Sequence, residues 1–462
     1  MSDSPDGIQF SGRTDKFDLT HGSILPTILK LAWPVVATMF VHAALVITDM
    51  IWVGRLGAAP MAAITPAVFY IWILLSMMEV ISAGLVAIIS RHYGAKNYEK
   101  ASYAASQSIS YATIFSIVIS VTGYILSPVF LDIIGTDAEV ARLGTEYLRI
   151  RMIGTIFFFL YEVGVSIFRA TGDTKTPMVL SLIAVGGNIL LDPVLIFGVG
   201  PFPAMGVAGA AWATVLSVLF AVLGLTYYLF KGKLTIDLRI SDVLKLDYML
   251  LGRMLRIGLP ISLNNILFSV VYIFINMLTA DYGTEAIASL GIGNRIESIS
   301  YMVCVGFSVA VATMVGQNLG AGKPERAERA VWVTFGITAV FTGIISICFV
   351  VIPGLITRAF VSDPLVVDHT SDYLRILALS QVFMAALIVF EGAFSGAGDT
   401  LPPMIVGIPA AVMRLPIAYV LCKLLDVGVN GVWWAITSTT IVSAVVLVIW
   451  FRRGKWKERE IE

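Results

Sequence analysis

Charge is scarce in this chain. Only 13% of its 462 residues are Asp, Glu, Lys or Arg, against about 25% in a soluble globular protein, and mean hydropathy is +0.87. That scarcity excludes an ordinary water-soluble domain and predicts a polytopic membrane protein. The 31 basic and 31 acidic residues cancel, which removes the basic field that a nucleic-acid partner requires. Cysteine is nearly absent: Cys304, Cys348 and Cys422 sit in separate apolar runs, with no CxxC and no neighbouring His, and read as core packing. P-loop, HExxH and aspartate-rich diphosphate motifs are missing too. No bound ATP and no cofactor are therefore expected. The first 24 residues are polar and lack an apolar core beside a small-residue cleavage site, so no removable signal peptide is expected and the N-terminus stays in the cytosol.

What the chain has in abundance is long apolar runs. Twelve are long enough to cross ~30 Å of hydrocarbon as helices: 28–53, 61–90, 102–127, 146–169, 177–198, 207–230, 254–280, 286–315, 328–355, 372–395, 402–425 and 431–451. With the N-terminus inside, 21 of the 31 Lys and Arg fall on the tails and cytosolic connections, from Arg13 and Lys16 through Lys231, Lys233 and Arg239 to Arg459. The positive-inside rule therefore places both termini in the cytosol of a cell-membrane protein. Residues 231–253 read as a partly amphipathic cytosolic linker. Trp33, Trp52, Trp72, Trp332 and Trp450 fall near span ends, where interface anchors belong.

An internal repeat organises these spans. Lys30-Leu31-Ala32-Trp33-Pro34 recurs as Arg256-Ile257-Gly258-Leu259-Pro260, Gly94-Ala95-Lys96 as Gly320-Ala321-Gly322, and Glu146-Tyr147-Leu148-Arg149-Ile150 as Asp372-Tyr373-Leu374-Arg375-Ile376, each pair 226 residues apart. The same shift carries the turn Ala170-Thr171-Gly172-Asp173 onto Gly396-Ala397-Gly398-Asp399, and it drops to 222 after an insertion near Pro201. Six spans per half is an even number, so both halves enter from the same side, as in transporters with parallel repeats. The predicted fold is all-α: a cytosolic tail (1–24), a first six-helix lobe (25–230), the linker (231–253), a second six-helix lobe (254–452) and a cytosolic tail (453–462), the lobes enclosing a central cleft.

Within the apolar runs, Gly186-Gly187-Asn188-Ile189-Leu190-Leu191-Asp192-Pro193 sets an amide and a carboxylate four residues apart, hence on one helix face. Pro193 frees the carbonyl of Ile189 beside Asp192. A proton or cation site is the default reading of such a group at membrane depth; the plainer one is a neutral Asp in a kinked helix. Asp49 and Asp192 map by the repeat onto Ile275 and Ala418, and Thr214 onto Ile436, so the second half keeps the scaffold without these polar groups. His42 shares a face with Asp49, and Pro34 can bend that helix as Pro193 can bend the fifth. On balance His42 reads as a satisfied interior histidine, though with Tyr147 and Glu391 it is a candidate proton or substrate contact. Glu297, two residues after Arg295, reads as structural; Glu79 and Glu162 stay open. Met302, Phe383 and Met384 are soft side chains suited to promiscuous substrate contact.

Gly396-Ala397-Gly398-Asp399 matches the GxGD string of intramembrane aspartyl proteases, but it lies in a short connection and its repeat partner marks it as a scaffold turn. Taken with Asp18-Leu19-Thr20-His21-Gly22-Ser23-Ile24, with Asp49 in Ile47-Thr48-Asp49-Met50-Ile51-Trp52-Val53-Gly54, with the turn at 169–174 and with Gly316-Gln317-Asn318-Leu319-Gly320-Ala321-Gly322, the chain resembles the multidrug and toxic compound extrusion (MATE) family, closest to its archaeal, DinF-like branch. The resemblance covers residues 18–452. It implies export of cationic and amphipathic drugs by a functional monomer in the lipid bilayer, against inward H+ or Na+, with Asp49, Asn188, Asp192 and Thr214 matching the ion site and able to hold Na+. Relatives regarded as sodium-driven carry acids in the seventh and tenth helices; here the seventh has Asn264, Asn265 and Asn276, and the tenth Glu391. Some relatives also have a Tyr where this chain has Leu45. Two other readings are a lipid-linked sugar flippase, which needs a cationic cleft that Arg414 and Arg295 alone would supply, and a membrane-embedded enzyme.

Overall fold

The computed structural model describes residues 18–134, 137–232 and 234–460, and of 66–72 and Ile134 the backbone alone. Residues 1–17 of the predicted N-terminal tail, with Arg13 and Lys16, Lys233 and the Trp72 side chain therefore lie outside the described residues. The spans are α1 (Ile24–Gly54), α2 (Ala58–Gly94), α3 (Tyr98–Ile134), α4 (Ala138–Thr171), α5 (Lys175–Phe197), α6 (Val207–Phe230), α7 (Tyr248–Ala280), α8 (Thr284–Gly320), α9 (Pro324–Val351), α10 (Pro364–Ala378 and Gln381–Ala397), α11 (Leu401–Tyr419, extended by a π-turn through Leu424) and α12 (Asn430–Arg452). Eleven are single helices long and apolar enough to cross a membrane; α10 is two helices bent by 57°. That break falls at Leu379-Ser380 inside the run predicted as one span, with neither Gly nor Pro to announce it.

Helices of each half pack chiefly on one another: α4 on α2, α3 and α6 in the first half, and α10 on α8, α9 and α12 in the second. The halves meet through α1 and α2 on α7 and α8. Glycine makes this approach close. A Cβ on Gly94 would stand 1.9 Å from the Gln317 carbonyl oxygen, and one on Gly320 would stand 1.9 Å from that of Arg91. Gly94 and Gly320 are repeat partners, and so are Arg91 and Gln317, so the contact is its own image under the pseudo-twofold. The repeat found in the sequence is thus a packing symmetry of the folded chain. Turns repeat as well: Gly172 and Gly398, both left-handed (φ 95° and 74°), cap α4 and α10, while Asp173 accepts the amides of Lys175 and Thr176 at the start of α5. The GxGD string is one of these two caps.

Hydrogen bonds between the halves cluster at the linker end. Ser262 donates to the Ser76 carbonyl (2.7 Å), Thr313 to that of Arg169 (3.1 Å) and Gln317 to that of Ala170 (3.0 Å). The segment before α1 crosses to the second half, where Asn318, Lys323 and Arg326 donate to carbonyls of Leu19, Thr20, His21 and Gly22. Burial works against the Asp18 charge, but the Thr20 hydroxyl and amide and the His21 ring outweigh it and hold the carboxyl below its usual range. Its contribution is therefore present above the ordinary carboxylate range and fades as pH falls through the lowered value.

The linker is less free than its sequence suggests. It carries one short helix (Ile240–Val243), buries Leu234 and Ile236, and is held along an α3 stripe. Ser102 and Ser106 accept the amides of Asp237 and Arg239, Gln107 donates to the carbonyls of Asp242 and Lys245, Ser110 donates to that of Val243 and Tyr111 to that of Asp247. After α12, Trp456 stacks on Phe451 (4.6 Å), so the C-terminal tail begins docked. Trp332 also departs from the interface-anchor reading. Its ring meets Phe390 at 5.2 Å inside an aromatic cluster that Trp450 joins.

Gly94→Ala should force the halves apart at this end, since a Cβ there meets backbone that cannot rotate away. A strain of ~1–3 kcal/mol shifts a two-state balance by up to about a hundredfold. Spin labels at Glu99→Cys on α3 and Arg329→Cys on α9 should then report a longer distance, and an unchanged distribution would show that the glycine contact does not hold the ends together.

Candidate functional site

Three elements converge on one polar cluster. Asp49 comes from α1, Asn188 and Asp192 from one face of α5, and Thr214 from α6; α5 and α6 approach closely because a Cβ on Gly209 would lie 2.4 Å from the Leu195 carbonyl oxygen. In the amide orientation that satisfies its neighbours, Asn188 donates Nδ2 to Asp49 Oδ1 (3.1 Å) and Asp192 Oδ2 (3.2 Å), while its Oδ1 accepts the Thr214 backbone amide (3.2 Å). The two carboxyl groups also lie in hydrogen-bonding reach of each other. Asp192 is fully buried and its Oδ1 has no partner. A buried carboxylate oxygen without a hydrogen-bond donor, beside a second carboxylate, is costly to hold as an anion.

Thr214 enters differently from the sequence reading. Its hydroxyl donates to the Ala210 carbonyl (3.0 Å), and its amide is what meets Asn188. Tyr147, nearly buried, stands in electrostatic reach of Asp49 and Asp192. Arg151 stands in reach of Asp49 as well, its guanidinium 4.5 Å over the Phe158 ring. Two arginines two residues apart inside the apolar stretch of α4, Arg149 and Arg151, were the available signal. α1 and α5 run unbroken through Pro34 and Pro193, and the Pro34 carbonyl accepts the Thr38 hydroxyl (2.8 Å).

Nearer the linker end, His42 meets Ser181 Oγ at 3.0 Å. Beside it, Glu162 pairs with Arg169 (3.5 Å) and accepts Ser82, which also meets Ser166 (2.7 Å). Glu79 is coupled electrostatically to Glu162 and Arg169, so the two acids left open from sequence share one basic partner. Tyr301, 51% exposed, stands in reach of both Glu79 and Glu391. Glu79 belongs to the first half and Glu391 to the second, and nothing in the sequence surroundings of Tyr301 marked this position. Met384 is packed with Cys304, Ala385 and Ile388, Phe383 rests against the cluster of Phe390 and Phe394, and Met302 is half-buried.

A second network lies in the other half. Glu297 accepts Tyr373 (3.1 Å) and Gln381 (3.1 Å), Gln381 accepts Ser300 (3.0 Å), and Asn294 accepts Tyr272 (2.6 Å) and Tyr373 (2.9 Å). Glu297 is satisfied by these hydrogen-bond donors from α10, with Arg414 in electrostatic reach. The bend in α10 sets Gln381 at the start of its second helix, against Glu297.

Eleven apolar helices and one bent pair among the described residues, arranged in two halves related by a sequence repeat, with carboxylates inside the apolar runs, are the architecture of a secondary transporter. The MatE family profile matches residues 34–194 and again 260–420, the same 226-residue shift. A probable multidrug resistance protein NorM from Thermotoga maritima is 31% identical over 94% of this chain and 93% of its own. Among solved structures, a MOP superfamily transporter from Pyrococcus furiosus, for which reversed pocket polarity has been taken to suggest a different function, superposes with TM-score 0.89 at 25% identity, covering 97% of this chain and 99% of that one. A MATE in a bent conformation gives 0.90 at 25% identity, covering 96% and 99%. The chain belongs to the MatE family, the multidrug efflux transporters of the MOP superfamily, and is not an enzyme.

Asp49→Asn and Asp192→Asn should each lower coupled efflux by at least about tenfold at normal expression, since losing ~1.4 kcal/mol of differential affinity costs one decade. Asn188→Ala should cost less, roughly two- to tenfold, the worth of one or two ordinary hydrogen bonds. Wild-type dye efflux by either Asp variant would remove these residues from the coupling site.

Proposed function

We propose that this chain exports organic cations and amphipathic drugs by antiport, and that the Asp49, Asn188, Asp192 and Thr214 cluster is its coupling-ion site. The observation that carries the reading is the unpartnered Asp192 Oδ1 beside the two carboxylates that Asn188 bridges. Two carboxylates this close repel unless a cation lies between them. One H+ or one Na+ suffices, and for Na+ the ligands would be oxygens of Asp49, Asp192 and, with its amide turned over, Asn188.

The lobes are residues 25–230 and 254–452, and both termini and the linker face the cytosol, as the excess of Lys and Arg on those connections argues. On that orientation the glycine contact closes the cytosolic side and the cleft opens outward. Ion binding draws α1 towards α5, with Pro34 and Pro193 as bends; release of the ion lets the first lobe reopen. Glu79, Glu391 and Tyr301 line the substrate cleft, where acids and an aromatic ring suit a cationic, flat ligand. His42 and Tyr147 connect that cleft with the ion site. The DinF-like placement rests on the missing acid in α7 and on the likeness to the Pyrococcus furiosus transporter. A flippase reading needs a cation open to the cleft, whereas Arg414 is 6% exposed. The unit of transport is the monomer, since each chain contains both lobes and the ion site.

Proteoliposomes loaded with a fluorescent dye cation test this directly. Efflux should follow an imposed pH gradient or an imposed Na+ gradient, and should fall to the leak rate under neither. Dye movement indifferent to both gradients would overturn ion coupling. Labels on α1 near Pro34 and on α5 should report a distance change with the same ion, lost in Asp49→Asn; a distribution that ignores the ion while transport depends on it would reject the bending of α1.

A further inference from the structure

Between α1 and α8, where the halves meet, lies a groove of about 450 Å³. Leu29, Val36 and Ala37 wall it on one side and Val303 and Phe307 on the other, and Lys30 and Trp33 complete the α1 wall. Helical periodicity shows which way it opens. At ~100° per residue, the α1 residues of the groove centre about 170° round the helix from Asp49, and Val303 with Phe307 centre about 140° round α8 from Tyr301. The groove therefore lies on faces turned away from the polar cluster and from the cleft, which are the faces that meet lipid. Trp33 is 49% exposed there.

Two lysines give this groove its charge. Lys175 opens α5 with its Nζ 5.9 Å from the centre of the Trp33 ring, and Lys30 stands one turn before Trp33 on α1. Among the described residues neither amine has a hydrogen bond or an ion pair, and no carboxylate lines the groove. Both helices begin at the linker end, and their apolar runs start at residues 28 and 177. The two amines and the indole thus lie where hydrocarbon gives way to headgroups. A cation at that depth finds its acceptor in a lipid phosphate. Two cations with no acid beside them favour a headgroup of net negative charge over a zwitterion, whose own ammonium offsets the phosphate.

We infer that this groove binds one anionic glycerophospholipid of the linker-side leaflet. Its phosphodiester sits between the Lys30 and Lys175 amines, its glycerol edge rests on the Trp33 ring, and an acyl chain runs along Val36, Ala37, Val303 and Phe307. One wall comes from each half. The walls close where Val36 meets Gly306, since a Cβ on Gly306 would stand 2.3 Å from Val36 Cγ2. The site is whole only while α1 and α8 lie together in this way, so a lipid held there stabilises the arrangement in which the linker end is closed, through its differential affinity for that state. The lipid is an effector of the transporter and not its substrate.

Tryptophan quenching by lipids brominated on their acyl chains reads the site directly. In phosphatidylcholine vesicles, brominated phosphatidylglycerol should quench more than the same fraction of brominated phosphatidylcholine, and Trp33→Phe should abolish that excess. Lys30→Gln and Lys175→Gln should each lower the preference about fivefold, the worth of one lysine near a membrane surface, whereas Lys30→Arg and Lys175→Arg should keep it. Lys231→Gln removes a lysine that stands over Tyr227 (4.9 Å) outside the groove and should leave the preference unchanged. Spin labels at Glu99→Cys and Arg329→Cys should show a larger short-distance population with phosphatidylglycerol, a response lost when Lys30→Gln and Lys175→Gln are combined and not reproduced by free glycerol phosphate. Equal quenching by the two lipids, or a preference lost as much in Lys231→Gln, reduces the lysines to general surface charge and overturns the site. A response to free glycerol phosphate overturns the lipid assignment, and phosphatidylglycerol that quenches Trp33 but leaves the label distances unchanged overturns its role as an effector.

Discussion

A charge in the apolar interior has no bulk water to solvate it, so what keeps it there is the partner it meets. Glu162 has Arg169, Glu297 has the hydroxyl of Tyr373 and the amide of Gln381, and Arg414 has Thr439 and the face of Phe268. Asp49 and Asp192 have one Asn188 amide between them, and a buried oxygen of Asp192 goes without. That incomplete pairing sits where α1, α5 and α6 converge, and a proton or a small cation there would relieve it.

For the ion to drive anything, its site must be coupled to how the two halves meet. They meet at the linker end through backbone, Gly94 on Gln317 and Gly320 on Arg91, where no side chain stands between to absorb a small displacement. Contacts of that kind are either made or broken, which favours two discrete arrangements over a continuum. The strap from Leu19 to Gly22 onto Lys323 and Arg326 and the linker bound along α3 reinforce the same end. The Asp49, Asn188 and Asp192 cluster sits in α1 and α5 of the first half, and α1 also packs on α8 of the second, so a single helix joins the cluster to the contact between the halves.

The asymmetry between the halves is chemical and not architectural. Both keep the glycine contact and the left-handed caps at Gly172 and Gly398, because a shared packing symmetry tolerates little change at its contact points. Side chains facing the interior of each lobe are under no such constraint, and there the first half carries Asp49, Asp192 and Thr214 where the second carries Ile275, Ala418 and Ile436 in a closed apolar cluster.

Much of this could be read before any fold was known. Hydropathy marked the spans, since helices that cross a bilayer must be apolar for about twenty residues; the shift of 226 exposed the two halves, since repeated packing demands repeated small residues; and the spacing from Asn188 to Asp192 put both on one face, since helical periodicity is local. The pairing of acids was not legible. Sequence offered Arg295 to Glu297 as a neighbour, whereas its donors come from Tyr373 and Gln381, 76 and 84 residues away. Tyr301 gave no sign of standing between Glu79 and Glu391, nor Leu379-Ser380 of the bend in α10, nor Thr214 that its amide and not its hydroxyl would meet Asn188. The reason is common to all four. Periodicity and composition report what a residue does for its own helix, but which buried group it faces is set by how helices distant in sequence cross, and that is decided only when the whole chain is packed.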